Sequence, residues 1–159
     1  MGARMDLIAG DVRDVLIHVG TGDHGAFADS DRFEAHLSLG GGMDPTWLDM
    51  FSEAARGAYD GDGPVDLLDA RFELDGPEDG DDTGLIIERV DPGWVTAVAR
   101  IPDSAFDGLT GRWIDRIEED LGPLPSEEKP WIRELAASIV VFCRAADRSP
   151  DVIFVWALR

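Results

Sequence analysis

The stretch SLGGGMDPTWLDMF (residues 38–51) has the outline of a phosphate-binding loop, because three glycines precede a helix start. Such a loop directs backbone N–H groups at the anion and usually adds a Lys or Arg. Here no cation is present, and Asp44 stands before Pro45 where an N-cap carboxylate would occupy the same donors. The sequence therefore predicts a joint between a strand and a helix, with Trp47 and Phe51 facing the core.

Histidines and clustered acids are potential metal ligands, but their spacing argues against a site. Asp23, His24 and His36 have suitable donor atoms, yet no H-x-x-x-H pattern supports them. The acidic segment at residues 75–84 lacks a calcium-loop register, because position twelve counted from Asp79 is a valine and not a bidentate Glu. We therefore predict neither a metal site nor a cofactor.

The sequence also contains no motif typical of nucleophilic catalysis. Cys143, the single cysteine, lies in the apolar run SIVVFCRAA, which predicts a buried and inert thiol. The adjacent acids at 118–119 and 127–128 point in different directions on a helix, which is typical of solvated charges. No catalytic residue is predicted, although an acid–base pair assembled from distant segments stays open.

The charge balance is the strongest global signal, with 33 acids, 14 bases and a net charge of −19. A surface this negative disfavours nucleic acids and anionic membranes, and it leaves a basic protein as a partner. Residues 60–82 hold ten of the acids and one base. The predicted partner-binding residues lie there, with one tryptophan expected at an interface rim after the DPG turn: Asp60, Asp62, Glu78, Asp79, Asp81, Asp82 and Trp94.

The acidity has two alternative causes that stay open, namely the codon usage of a GC-rich genome and adaptation to a salty cytoplasm.

Charges at Asp11, Arg13 and Asp14 interrupt the N-terminal apolar residues, so we expect no signal peptide. No apolar run approaches the length of a membrane span. A cytoplasmic location is the resulting expectation.

The apolar periodicity divides the chain into alternating elements. Helices are predicted over 6–20, over 45–58, from a cap at Asp103 or Ser104 to about 121, and from Ser126 past Cys143. Strands are predicted over 32–40, in an antiparallel three-strand meander over 65–76, 83–90 and 94–101, and in a central strand over 151–158 that is apolar on both faces.

This order predicts one α+β domain over residues 1–159, with an acidic loop or hairpin at about 60–84. Its mostly antiparallel sheet has about five strands, and about four helices pack largely on one face. The predicted function is a non-enzymatic, acidic, cytosolic protein that binds a protein partner, by analogy with inhibitor or immunity proteins. The alternative is an enzyme or small-molecule-binding protein with a pocket between helices and sheet.

Overall fold

The structure is a computed structural model that describes residues 4–11, 13–14, 35–39, 45–58, 71–75, 85–149 and 151–157. Within these ranges five strands and four α-helices form. The strands are β1 (Arg4–Ala9), β2 (Ala35–Ser38), β3 (Arg71–Asp75), β4 (Leu85–Val90) and β5 (Val152–Ala157). The helices are α1 (Pro45–Ala58), α2 (Pro92–Ala99), α3 (Phe106–Leu121) and α4 (Glu128–Ala146), with a 3-10 turn at Asp103–Ala105 before α3.

The strands form one antiparallel sheet in the order β2-β1-β5-β4-β3. The predicted α+β class and antiparallel sheet are therefore confirmed. β5 is the middle strand, as its two apolar faces predicted: Met5 pairs with Trp156 on one side, and Ile86 pairs with Trp156 on the other. β3 and β4 form the predicted hairpin, with a register shift between Glu73 and Asp75.

Side chains on β5 alternate between two buried layers. Val152 and Phe154 join the main core together with residues from all four helices, while Ile153 and Val155 are buried on the opposite face. A strand with neighbours on both edges and burial on both faces exposes almost nothing to water, which explains its unbroken apolar sequence.

The predicted helix over 6–20 is wrong at its start, because residues 4–9 form β1. β1 lies between β2 and β5, so both of its edges are paired. Both of its faces are buried as well, because the successive residues Leu7 and Ile8 point to opposite faces and are each 0 % exposed. A short strand buried on both faces has no period-two alternation in its sequence, and periodicity alone does not separate it from a buried helix. Arg13 and Asp14 are helical, as predicted, and residues 12 and 15–20 lie outside the described ranges.

The third strand of the predicted meander is a helix instead, α2. The DPG sequence is a helix start: Asp91 accepts a hydrogen bond from the Gly93 amide at 2.8 Å, and Pro92 occupies the first helical turn. Trp94 and Val95 then bury their side chains in the core. This burial outweighs the strand preference of the β-branched residues in the segment.

The other three helices match their predicted segments, but the predicted cap of α3 is wrong. Asp103 and Ser104 belong to the 3-10 turn, and the first residue before α3 makes no side-chain cap. Asp103 instead accepts a hydrogen bond from Arg144 Nη2 at 3.0 Å, which links this turn to α4. Trp47 and Phe51 face the core as predicted, and the predicted cap at Asp44 lies outside the described residues.

Buried tryptophans connect the helices through specific polar contacts. Trp113 donates its indole N–H to the backbone oxygen of Trp47 at 2.9 Å and packs edge-on against Phe51. Trp94 donates to Ser52 Oγ at 3.0 Å, and this hydroxyl donates to the Leu48 carbonyl at 2.9 Å. Each indole N–H is thereby satisfied inside an apolar core, where an unpaired donor is costly.

Replacing Ser52 tests this network. Ser52→Ala removes the hydroxyl that accepts the buried Trp94 N–H, so the free energy of unfolding should fall by about 1–3 kcal/mol. Ser138→Ala is the matched control, because Ser138 Oγ also donates to a carbonyl four residues earlier but lies at a half-buried position with a solvent-exposed hydrogen bond. Its effect should stay within about 0.5 kcal/mol. Urea denaturation measures both, and equal losses would contradict the role given to Ser52.

Candidate functional site

The predicted partner-binding residues divide into two groups. Asp60, Asp62, Glu78, Asp79, Asp81 and Asp82 lie outside the described residues, so their role stays a prediction, and the same holds for Asp23 and His24. Trp94 is described, and the prediction of a rim position is wrong. Its side chain is 1 % exposed and hydrogen-bonded inside the core, because it lies on the inner face of α2.

A surface groove of about 440 Å³ lies between α1 and α3. Small residues form part of its lining, and charged side chains form the rest: Ala54, Gly57, Glu53, Arg112, Asp115, Arg116 and Glu119. The groove lies between two helices, whereas the alternative function predicted a pocket between the helices and the sheet.

Arg116 organises the charges of this groove. Its Nη1 donates to Asp120 at 2.7 Å and its Nε donates to Glu53 on α1 at 3.1 Å. The hydrogen bond with Asp120, followed by the one with Glu53, raises the pKa of the Arg116 guanidinium above its usual range. Arg116 is therefore a fixed cation that links α1 to α3, and its contacts are exposed enough for salt to weaken them.

Arg112 occupies the groove one turn earlier and lies over the backbone of α1. Its Nη1 would be 3.0 Å from a Cβ at position 57, so the guanidinium approaches this closely because the residue is Gly57. The groove thus combines two arginines with three carboxylates, and its lining is close to neutral. This arrangement provides ionic contacts between the two helices.

The most unusual polar group of the described fold is Asp6, which lies on β1 within the sheet and is 3 % exposed. Its Oδ1 accepts a hydrogen bond from His36 Nε2 at 2.9 Å, and the His36 side chain is 16 % exposed. The two residues share the sheet face opposite the helices, diagonally across the β1–β2 pairing. Both side chains make further interactions besides this bond.

A carboxylate that orients an imidazole is the supporting half of an acid–base site, because it fixes the ring and its tautomer. Acyl or phosphoryl transfer also requires a nucleophile and donors for the developing negative charge. The Asp6–His36 bond alone therefore indicates a structural clamp between an edge strand and its neighbour. His36 was a candidate ligand from the sequence, but Asp6 was not. The one sequence signal for Asp6 is that an acid lies within an apolar run.

Cys143 is buried as predicted, with 0 % exposure on the inner face of α4. Burial raises the pKa of its thiol above the ordinary value of 9.0, and the negative charge of Asp147 raises it further. A thiol that stays protonated at neutral pH is neither a nucleophile nor a metal ligand.

The described ranges of the chain also lack a metal cluster and a membrane span. Within them, no three His, Cys, Asp or Glu side chains converge as metal ligands would. None of the helices described there combines the length and apolar character that crossing a membrane requires. A cavity that reaches the core residues Val90, Val95 and Val152 has a volume of only about 20 Å³, which accommodates a single water molecule.

Comparison with known proteins returned no match to any family model, curated protein or solved structure. The role of these surfaces must therefore be inferred from their own geometry and charge.

Replacing His36 tests the clamp on β2. His36→Ala removes one hydrogen-bond partner from a buried carboxylate, so the free energy of unfolding should fall by about 1–3 kcal/mol. Ser38→Ala is the control, because Ser38 lies on the same strand and face but is exposed. Thermal and urea unfolding of both variants measure the difference. A change no larger than that of the control would show that the bond contributes little.

Stability at alkaline pH tests the environment of Cys143. Because the thiol pKa is raised in the folded protein, the unfolded chain ionises first, and the contribution of this thiol is complete below about pH 9. Above that pH the free energy of unfolding should fall by up to about 1.4 kcal/mol per pH unit from this thiol alone. In Cys143→Ala this loss should be absent. The free energies of unfolding of the variant and the unmodified protein should therefore converge between about pH 9 and pH 11. A constant difference would contradict the burial.

Proposed function

We propose that this protein acts without catalysis, by binding a protein partner whose surface is basic. The observation that carries the proposal is the net charge of −19 on a chain that folds around a packed apolar core. Negative potential of this size accelerates encounter with a positive surface and gives the complex a salt-sensitive affinity. Inhibitor and immunity proteins that neutralise basic nucleases use the same physics, and the analogy is limited to this electrostatic attraction.

The packing of the interior supports binding at the surface. Apolar residues from the helices and from one face of the sheet form a continuous buried cluster in the described part of the chain. The cavity that reaches this cluster accommodates only water, whereas the larger groove lies outside between α1 and α3. Small-molecule sites are usually deep and mostly apolar, whereas the groove between α1 and α3 is open and lined by charges, which suits a macromolecular partner better.

The charge on α3 supports a partner with a positively charged surface. α3 carries five acids and two bases, and one of these bases, Arg116, is already paired with Glu53 and Asp120. Carboxylates outnumber cations on this helix, so its surface contributes to the negative potential. A cytoplasmic location belongs to the proposal as well, since the only cysteine is a free buried thiol.

An identified partner tests the proposal. The protein, immobilised as bait, should retain a basic protein from a lysate of its source cells at about 50 mM salt and release it at about 500 mM salt. The partner is then purified, and its Kd should rise at least about tenfold over this range, because exposed charges are screened.

An unrelated acidic protein of similar size and net charge is the matched bait, and the true partner should not bind to it. Failure to retain any protein at either salt concentration would contradict the proposal. Stability that rises steeply in molar salt would instead favour adaptation to a salty cytoplasm as the reason for the acidity.

A further inference from the structure

The helix junction, residues 118–131, is the place where α3 ends and α4 begins. It consists of the last turn of α3, a short link and the first turn of α4. Two of the three large apolar side chains that are exposed in the described part of the chain lie here, Leu121 at 62 % and Trp131 at 38 %. Three prolines in the same stretch are also exposed: Pro123, Pro125 and Pro130.

Exposed apolar side chains are ordinary when they are scattered, whereas these two lie on either side of one short link between helices. Trp131 is held in place by Trp47 of α1, with ring centroids 6.5 Å apart and an angle of 61° between the planes. The tryptophan therefore presents a fixed ring to solvent. Tryptophans are among the residues most enriched at the energetic centres of protein interfaces.

The link between the helices is ordered by its own hydrogen bonds. Glu118 Oε2 accepts from the Leu124 amide at 3.0 Å, and the Glu128 amide donates to the Pro125 carbonyl at 3.0 Å. Gly122 ends α3 with a φ of +87°, which a residue with a side chain adopts only with strain. A surface that is already ordered loses little entropy when a partner binds.

The junction is also strongly negative, with five acids and one base between residues 118 and 131. The acids at 127 and 128 lie at the N-terminus of α4, where the helix dipole favours them. The acids at 118–120 lie at the C-terminus of α3, where the dipole favours cations and no basic residue occurs in the last turn. Ion pairs with Arg116 and Lys129 hold these three acids in place. The five acids of the junction still outnumber these two bases, so the surface keeps an excess of negative charge.

We propose that the helix junction is the docking surface for the basic partner, an inference that rests on the proposed function. Leu121 and Trp131 supply an apolar centre, and exposed acids at 119, 120, 127 and 128 supply the rim. The complementary surface is an exposed apolar patch of a protein, flanked by lysines or arginines. Protein interfaces usually have an apolar centre within a polar rim. Here the rim is negative, which complements a positively charged partner.

Titration with defined peptides tests the inference. The probe is a peptide of about nine residues with a Leu-Trp-Leu centre between equal runs of lysines. One comparison peptide has an alanine centre between the same lysines, and the other has the apolar centre between glutamates. Binding is followed by the amide and indole N–H signals of the ¹⁵N-labelled protein at about 50 mM salt.

The lysine peptide with the apolar centre should shift the signals of residues 118–131 and the Trp131 indole, with roughly tenfold higher affinity than its alanine-centred counterpart. The glutamate peptide should not bind. Trp131→Ala and Leu121→Ala should each remove most of the tenfold preference. Val141→Ala should preserve it, because Val141 is equally exposed at 62 % but has Arg144 as a neighbour one turn along α4.

Leu121→Ala keeps the test valid if Trp131→Ala unfolds the protein, since Leu121 is mostly solvent-exposed. Shifts centred elsewhere, or an affinity insensitive to both junction variants, would overturn the docking surface and leave the proposed function intact. If neither lysine peptide binds at low salt, the electrostatic basis of the proposed function fails together with the inference.

Discussion

The pairing of β5 with both β1 and β4 is the constraint on which the rest of the structure depends. It joins β1–β2 to β3–β4, so that a single sheet exists only when both edges of β5 are hydrogen-bonded. Its alternating side chains also contribute to two buried layers, one of which is shared with all four helices. The register of β5 is therefore strongly restricted. A shift by one residue would move the side chains of each buried layer to the opposite face of the sheet.

The helices on this sheet are connected by a small number of polar contacts. Ser52 and the Trp47 carbonyl accept the buried indole donors, while Arg116 and Arg144 link elements at the surface. Buried contacts of this kind fix orientation because an unpaired donor is costly, whereas surface ion pairs contribute less and weaken with salt. In the described part of the chain the interior is packed, and only three large apolar side chains are exposed. This combination is the basis of the proposed partner-binding role.

Much of the fold could be predicted from the sequence, because its longer helices and β5 carry strong periodic or continuous apolar patterns. The prediction failed at β1, where burial on both faces removes alternation, and at α2, where Asp91 and Pro92 start a helix within a β-branched segment. The candidate site was harder to predict. The Asp6–His36 contact depends on a register between strands thirty residues apart, and the inner position of Trp94 depends on helix packing. The spacing of residues along the sequence predicts neither arrangement.

The position of β5 in the sequence has a consequence for how the protein is made. β5 follows every other strand of the sheet along the chain, yet it occupies the middle of the sheet. As a nascent polypeptide emerges from the ribosome, the edges of β1 and β4 that β5 will cover have no native partner strand. Open strand edges of this kind attract other chains, and the long-range contacts that close them form slowly. The protein is therefore most exposed to aggregation in the interval before β5 is released, and molecules that stop short of it cannot complete the sheet.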